Sequence, residues 1–257
     1  VETPIVVAPV EKASLVSNNS GVTLNWKWKN EYPENIGSYR LEYAINGADT
    51  TLISDIQETD YFLSGLNPLD KVTWRVCGVT DKGFESWSGY KNFQVMRGSP
   101  LYVKANATGS GTSWNDAMPL AEALDTAVIG DTIWVARGVY KPDDTNKGRE
   151  ASFWLKDDVK LFGGFSGNES SLTERDWVKN QTILSGNIGL ADDPTDNTYH
   201  VVRAKGTREQ PITKSCQLNG FIIQEGYATK THGGGLDLDF ASPVIVNCLF
   251  RDHYAEY

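Results

Sequence analysis

The chain has 257 residues, with 33 acidic against 24 basic side chains and a formal net charge of −9. That length suits two domains. The acidic excess, broken by no Lys/Arg cluster, argues against nucleic acid and anionic lipid as partners, and no apolar run is long enough to insert into a membrane.

Residues 1–98 read as an all-β unit. Val22, Leu24, Trp26 and Trp28 alternate with polar residues, as do Tyr39, Leu41, Tyr43 and Ile45, then Val72, Trp74 and Val76. A period of two is that of a strand with one face buried. Cys77 falls out of phase and is expected on the outer face. "NNSG", "NGAD", "LNPLD" and "TDKG" supply the glycines and short polar side chains that chain reversals need. Short strands separated by such turns form a sandwich, and Gly98 and Pro100 punctuate its end.

Leu101–Val103 is expected to start the second unit. The polar loop "NATGSGTSW" leads into a helix capped by Asn115 or Asp116, with Leu120, Ala123, Leu124 and Ala127 as its apolar stripe and Gly130 as its stop. Strands follow, with Ile133 and Val135 inward and Trp134 outward or against the helix. Next come Phe153 with Leu155, and Val159 with Leu161, around the corner Lys156 to Asp158. The charged stretch "KPDDTNKGRE" reads as a solvated loop, and "SGNESSLTERDWVKNQ" and "GLADDPTDNT" as excursions from corners.

In "LNGFIIQEG" and "GGGLDLDFASPVIVNCLF", Leu218, Phe221 and Ile223 match Ile245, Cys248 and Phe250 at a constant offset. Between them lies a glycine-rich corner too short for a helix. Repeats of this length stack to bury a face that none buries alone. The helix ahead of the first rung is expected to cap it, covering both apolar interior and unpaired strand edges.

The landmarks of residues 1–98 resemble a fibronectin type III domain: Trp26 on an early strand, "YRLEYAING" in the middle, and "ESWSGYKNFQV" at the end. The family has a tyrosine where this chain has Val72. From "LYVKANATGSGTSWNDAMPLAEALDTA" through "IGDTIWVARGVYKP" and "LKDDVKLFGGFSG" to the repeat, the remainder resembles the pectate-lyase-like parallel β-helices of secreted and surface bacterial proteins. The expected fold class is therefore all-β. A fibronectin type III β-sandwich (1–98) precedes a right-handed parallel β-helix (99–257) with an N-terminal capping helix. Val1 in place of an initiator methionine suggests a processed or excised chain. With no cap after "RDHYAEY", the β-helix is expected to be incomplete at its C-terminus.

Cys77, Cys216 and Cys248 are widely spaced and contain no CxxC pair, so neither a disulfide framework nor a zinc site is expected. Cys248 is expected inward as a small hydrophobe; a bridge to Cys216 is the alternative should the two lie on neighbouring coils. Asp192, Asp193 and Asp196 are the calcium candidates, since that ion takes six to eight oxygens, with Asp143 and Asp144 a second acidic pair. No other cofactor is implied.

A polysaccharide lyase needs a cation for the uronate carboxylate, a base and an acid. Lys230, His232, Arg251 and His253 are the candidates, with Arg203, Lys205 and Arg208 as further cations. A glycoside hydrolase needs two carboxylates instead, and Asp237 and Asp239 alternate outward on one strand. His200, beside the apolar Val201 and Val202, reads as a structural hydrogen-bonding residue. Trp87, Tyr90 and Trp114 are candidates for stacking on sugars, whereas Trp26 and Trp74 belong to the sandwich core. Trp154 and Trp177 have no place in the pattern.

The resemblance implies an extracellular or cell-surface protein whose β-helix presents a surface to a polysaccharide or a surface protein, with the type III domain as spacer or docking module. The alternative is a carbohydrate-active enzyme, a polysaccharide lyase acting on an acidic glycan.

Overall fold

A computed structural model describes residues 3–9, 12–14, 21–28, 36–142, 148–229 and 231–256. The chain divides into two compact units, Val1–Gly98 and Ser99–Tyr257.

The first unit pairs a three-stranded antiparallel sheet, Ile5–Ala8, Gly21–Lys27 and Asp60–Ser64, with a larger one. The larger runs Lys12–Ser14, Lys91–Met96, Lys71–Thr80, Ile36–Ile45 and Thr51–Ile56, with Glu85–Trp87 added to Lys71–Thr80. The alternating residues point between the sheets: Val22, Leu24, Trp26, Tyr39, Leu41, Val72, Trp74 and Val76 form one core with Phe93 and Val95. Trp26 meets Tyr39 edge-on at 5.6 Å and lies 6.4 Å from Trp74. Cys77 departs from expectation. It alternates out of the core but is fully buried, because Glu85–Trp87 adds to the same strand and sets Trp87 opposite it.

The second unit is a solenoid of parallel sheets. The first stacks Leu101–Val103, Thr132–Ala136, Lys160–Phe165, Gln217–Asn219 and Val244–Val246. The second stacks Gly138–Tyr140, Thr182–Ser185, Ile222–Gln224 and Leu249–Arg251; the third stacks Phe153–Leu155, Val202–Lys205 and Leu236–Asp239. Tyr227–Thr229 pairs with Tyr254–Glu256 beside them. Leu218 pairs with Ile245 and Ile223 with Phe250, so this turn of the solenoid consumes 27 residues. The corners repeat as well: Gly220 (φ 86°) and Asn247 (φ 51°) both take the left-handed conformation, which glycine and asparagine adopt most readily.

Ile133, Val135, Phe153, Leu155, Val159, Leu161, Leu218, Phe221 and Ile223 fill the interior. Leu236, Ile245 and Cys248 pack on it partly buried, while Phe250 on the last rung stays 39% exposed. All three cysteines are free thiols.

Helix Leu120–Thr126 lays Leu120, Ala123, Leu124 and the following Ala127 on the same core, against Leu101–Val103 and Phe153–Leu155. Its start differs from expectation. Pro119 occupies the cap position without a side-chain bond. Asn115 and Asp116 belong instead to a separate single turn, Trp114–Asp116, capped by Ser113. Asp116 accepts from the Ser110 N–H (3.2 Å) and hydroxyl and from the Thr112 hydroxyl (2.7 Å), which spends its carboxylate on the loop before the helix.

The excursion after Gly167 does not stand off the solenoid. Tyr102, Trp134, Phe162 and Phe165 form an outward aromatic cluster on the first sheet, with Trp134 stacked on Phe165 at 4.8 Å and Trp114 against Tyr102 at 4.9 Å. The segment folds over it: the Trp114 indole N–H donates to Glu169 O (2.8 Å), and the Arg175 guanidinium lies 5.0 Å from the Phe162 ring centre. Arg175 also donates to Gly163 O (3.0 Å) and to the backbone and side-chain oxygens of Asn219 (3.2 and 2.8 Å). Burying that much aromatic surface is what holds the segment down.

Candidate functional site

The outer face of the third sheet gathers a set of interacting charged and aromatic side chains. Alternation turns Phe153, Leu155, Val202 and Ala204 into the core. It turns Trp154, Arg203 and Asp237 outward in register across three adjacent strands, with Lys205 beside Asp239 in the next row. Adjacent strands lie about 4.8 Å apart, so the three-residue row is about 10 Å long.

Arg203 is the centre of this strip. Its guanidinium lies 4.8 Å from the Trp154 ring centre. Nε and Nη2 both reach Asp237 Oδ2 at 2.9 Å, and Nη1 lies 3.6 Å from Glu150 Oε2, supplied by the single turn Gly148–Glu150. The cation is thus sandwiched by an indole and two carboxylates, a geometry that suits a planar, delocalised guanidinium and not an ammonium. Lys205 Nζ is 3.5 Å from Asp239 Oδ2, both side chains being about half exposed or more. His200, 5% exposed, sits behind Asp237 with Nε2 4.0 Å from Oδ2, and its Nδ1 meets Gly233 O at 3.0 Å. The hydrogen-bonding reading of His200 agrees with that contact.

Asp237 and Asp239 do lie outward together, as the alternation in "LDLDF" implies. The lyase candidates are not gathered with them. Lys230 falls outside the described residues, and His232 is exposed. Arg251 lies on the second sheet, where Nε and Nη2 donate to Gln224 Oε1 at 2.9 and 2.6 Å. His253 has both ring nitrogens engaged. Nδ1 accepts from the Gly226 N–H (3.1 Å), which leaves Nε2 as the donor to Ile223 O (3.0 Å). Burial lowers its pKa below the usual histidine value, so the ring is held neutral as part of a corner.

Two of the three calcium candidates accept turn hydrogen bonds, while Asp196 Oδ1 stays buried without one. Asp193 Oδ1 accepts from the Thr195 N–H (2.9 Å) and hydroxyl (2.6 Å), and Asp196 Oδ2 from the Leu190 N–H (2.7 Å). Asp192 is exposed. Asp143 and Asp144 lie outside the described residues. Among the described residues no three His, Cys, Asp or Glu side chains converge as a metal site.

The other aromatic candidates also contact protein groups, with Tyr90 51% exposed. Arg75 lies 4.4 Å from the ring centres of both Trp87 and Tyr90 and is bonded to Glu42 Oε2 (2.8 and 2.5 Å). Trp114 packs, partly buried, against the first-sheet cluster. Trp154 and Trp177 instead pair with Arg203 and Arg175.

What the sequence hid was the register of the third sheet. Arg203 and Asp237 are 34 residues apart, and Trp154 and Arg203 are 49, because excursions of unequal length separate the rungs. The 27-residue offset readable in the final coils does not extend to them.

No helix among the described residues is long and apolar enough to cross a membrane. No protein-family profile matches the chain, and no curated protein is similar to it in sequence. Among solved structures it is similar to a fibronectin type III-like protein from Clostridium thermocellum, at 23% identity over 38% of this chain and 96% of that one (TM-score 0.27). It is similar to a family 28 exopolygalacturonase from Yersinia enterocolitica, at 16% identity over 85% of this chain (TM-score 0.29), of which it spans 41%. The pectate lyase Pel3 of Pectobacterium carotovorum is similar at 11% identity, over 97% of this chain and 81% of that one (TM-score 0.24). By its own strand pairing the chain is a mostly β protein, a sandwich-like unit followed by a parallel solenoid.

Proposed function

We propose that this is an extracellular or bacterial cell-surface protein in which a fibronectin type III sandwich serves as spacer or docking module for a right-handed, pectate-lyase-like β-helix. The outer face of the third sheet is its binding surface for a glycan or protein ligand. The observation that carries this reading is the layered row Trp154, Arg203 and Asp237, joined at its edges by Glu150, Lys205 and Asp239. It is an array of hydrogen-bonding groups with an aromatic at one end, held on strands except for Glu150, which comes from the turn Gly148–Glu150.

Binding is favoured over catalysis because the charged groups of the strip neutralise one another. A lyase acting on an acidic glycan needs a free cation beside a base. Here Arg203 is held by Asp237, and Lys205 has Asp239 beside it.

The test is a glycan and surface-protein array probed with the wild-type protein, Trp154→Ala and Arg203→Ala. Ligand capture by the wild type that is lost in both variants supports the reading. Capture unaffected by either variant, or product release from an acidic polysaccharide, contradicts it.

A further inference from the structure

Resting on that binding reading, the chemistry of the strip narrows its ligand. We infer that the third-sheet face recognises a neutral glycan and discriminates against acidic polysaccharides.

Charge is the first reason. Arg203 and Lys205 are the cations of the strip, and three carboxylates answer them: Glu150, Asp237 and Asp239. The formal charge of the array is therefore −1, within a chain of net charge −9. A uronate arriving here finds Arg203 engaged by Asp237, Lys205 beside Asp239, and a carboxylate in excess. To bind, it would have to displace Asp237 from a guanidinium that reaches the same oxygen through two nitrogens, leaving a side chain only 14% exposed without its partner.

Hydrogen-bonding capacity is the second. Glu150 is 62% exposed and Asp239 48%, so both offer acceptor oxygens to solvent. Ionised carboxylates accept and do not donate, which matches the hydroxyl groups of a neutral sugar and not the carboxylate of an acidic one. Lys205, 62% exposed, adds donors directed at hydroxyl or ring oxygens.

Shape and composition are the third. Protein interfaces are built around an apolar, aromatic centre, whereas the centre of this row is a guanidinium flanked by carboxylates. One indole beside planar polar groups, along a row of about 10 Å, suits one or two sugar rings better than the side chains of a protein.

The experiment is calorimetric titration of the 257-residue protein with neutral hexasaccharides of glucose, galactose, mannose and xylose, and with galacturonate and glucuronate hexasaccharides, at low and at physiological salt. At least one neutral sugar is expected to bind, and every acidic one to bind tenfold or more weakly. The gap should narrow as salt screens the repulsion. The double variant Glu150→Gln with Asp239→Asn changes two solvent-facing groups and turns the formal charge of the strip positive; it should raise acidic-sugar affinity about tenfold. Tighter binding of an acidic sugar by the wild type, lost in Arg203→Ala, would overturn the neutral-glycan inference while leaving the binding surface intact. Binding of no sugar in the panel would overturn the neutral-glycan inference and leave the surface to a protein ligand, and sugar binding indifferent to Arg203→Ala and to the double variant would overturn both.

Discussion

Arg203 reaches one oxygen of Asp237 through two nitrogens, Nε and Nη2, each at 2.9 Å, across neighbouring strands of the solenoid. The two residues are 34 positions apart, so the contact exists only because the rungs stack in this register. It ties the architecture of the sheet to the chemistry of its surface.

That pair is expected to contribute measurably to stability. The side chains are 22% and 14% exposed, so removing either partner leaves a mostly desolvated charge. Arg203→Ala and Asp237→Ala should each lower the unfolding free energy by about 1–3 kcal/mol. A double-mutant cycle should return a positive coupling, because the second substitution removes a charge that the first has already orphaned. Additive losses in urea denaturation would mean the contact is only a surface pairing.

Glu169 predicts a specific acid response. Burial pushes its pKa up, but the N–H groups of Ser166, Gly167 and Asn168 converge on the carboxylate and more than offset this, bringing it to about 2. A carboxylate depressed in the folded state stabilises fully above its unfolded pKa and loses that contribution as pH falls through the folded one. Between about pH 4.5 and pH 2 the solenoid should therefore lose up to about 3 kcal/mol from this group. Glu169→Gln should remove that part of the pH dependence, and unfolding midpoints at pH 7, 4 and 3 measure it. A variant with the wild-type pH profile would show that another group is responsible.

His253 runs in the same direction at a higher pH. Its ring is neutral between the Gly226 N–H and Ile223 O, and its pKa is lowered by burial. Acid that protonates it converts the Nδ1 acceptor into a donor facing a donor, so stability present above the unfolded value is lost as pH falls through the lower folded one. Proton NMR should find the ring titrating below the ordinary histidine range. Titration at or above that range would contradict the buried corner.

Thiol reactivity checks the interior. Burial pushes Cys216 up to about 12 and raises Cys77, and both are fully buried. Iodoacetamide at pH 8 should label neither in the native protein and all three cysteines after unfolding, since the thiolate is the reactive form. Rapid native labelling of Cys77 would restore the outer-face position that alternation alone suggests.

The close approach of backbone at Gly206 gives a steric test beside the strip. A Cβ there would lie 2.6 Å from Phe240 O and 2.8 Å from both Gln210 O and Ile212 N, backbone atoms that cannot swing aside. Gly206→Ala should cost about 3 kcal/mol through overpacking. Gly148, at φ +50°, has nothing within 4 Å, so Gly148→Ala should cost only the left-handed strain of about 1 kcal/mol. Equal losses would mean the turn after Lys205 is looser than described.

The fold was legible wherever period decided it. Leu24 and Trp26 on one sheet and Val72 and Trp74 on the other declare the two facing inner faces through alternation, and the match of Leu218 and Ile223 to Ile245 and Phe250 declares a stacked coil. Local competition was less legible. Asp116 looks like a helix cap, but its carboxylate is taken by Ser110 and Thr112. Cys77 alternates outward and is covered by a strand that pairs late. Trp134 faces out and is covered by Tyr102 and Phe165 of its own sheet, since a period says which side a residue faces and not what packs over it.

The site was half readable. Asp237 and Asp239 face outward on one strand and announce themselves. Their partners Arg203, Lys205 and Trp154 could be found only by knowing which residues of unequal coils stand opposite them. Of the residues grouped with the Gly233–Gly235 corner, His253 does pack its ring against Gly235, Arg251 lies on the second sheet opposite Gln224, and Lys230 lies outside the described residues.

The most direct test of the binding surface is NMR titration of isotopically labelled protein with the tightest-binding neutral hexasaccharide of the panel. Chemical-shift changes should centre on Trp154, Arg203, Lys205, Asp237 and Asp239, with the Trp154 indole N–H among the largest. Changes centred on the second sheet around Gln224 and Arg251, or on Trp87 and Tyr90 of the sandwich, with the third sheet unmoved, would contradict the account.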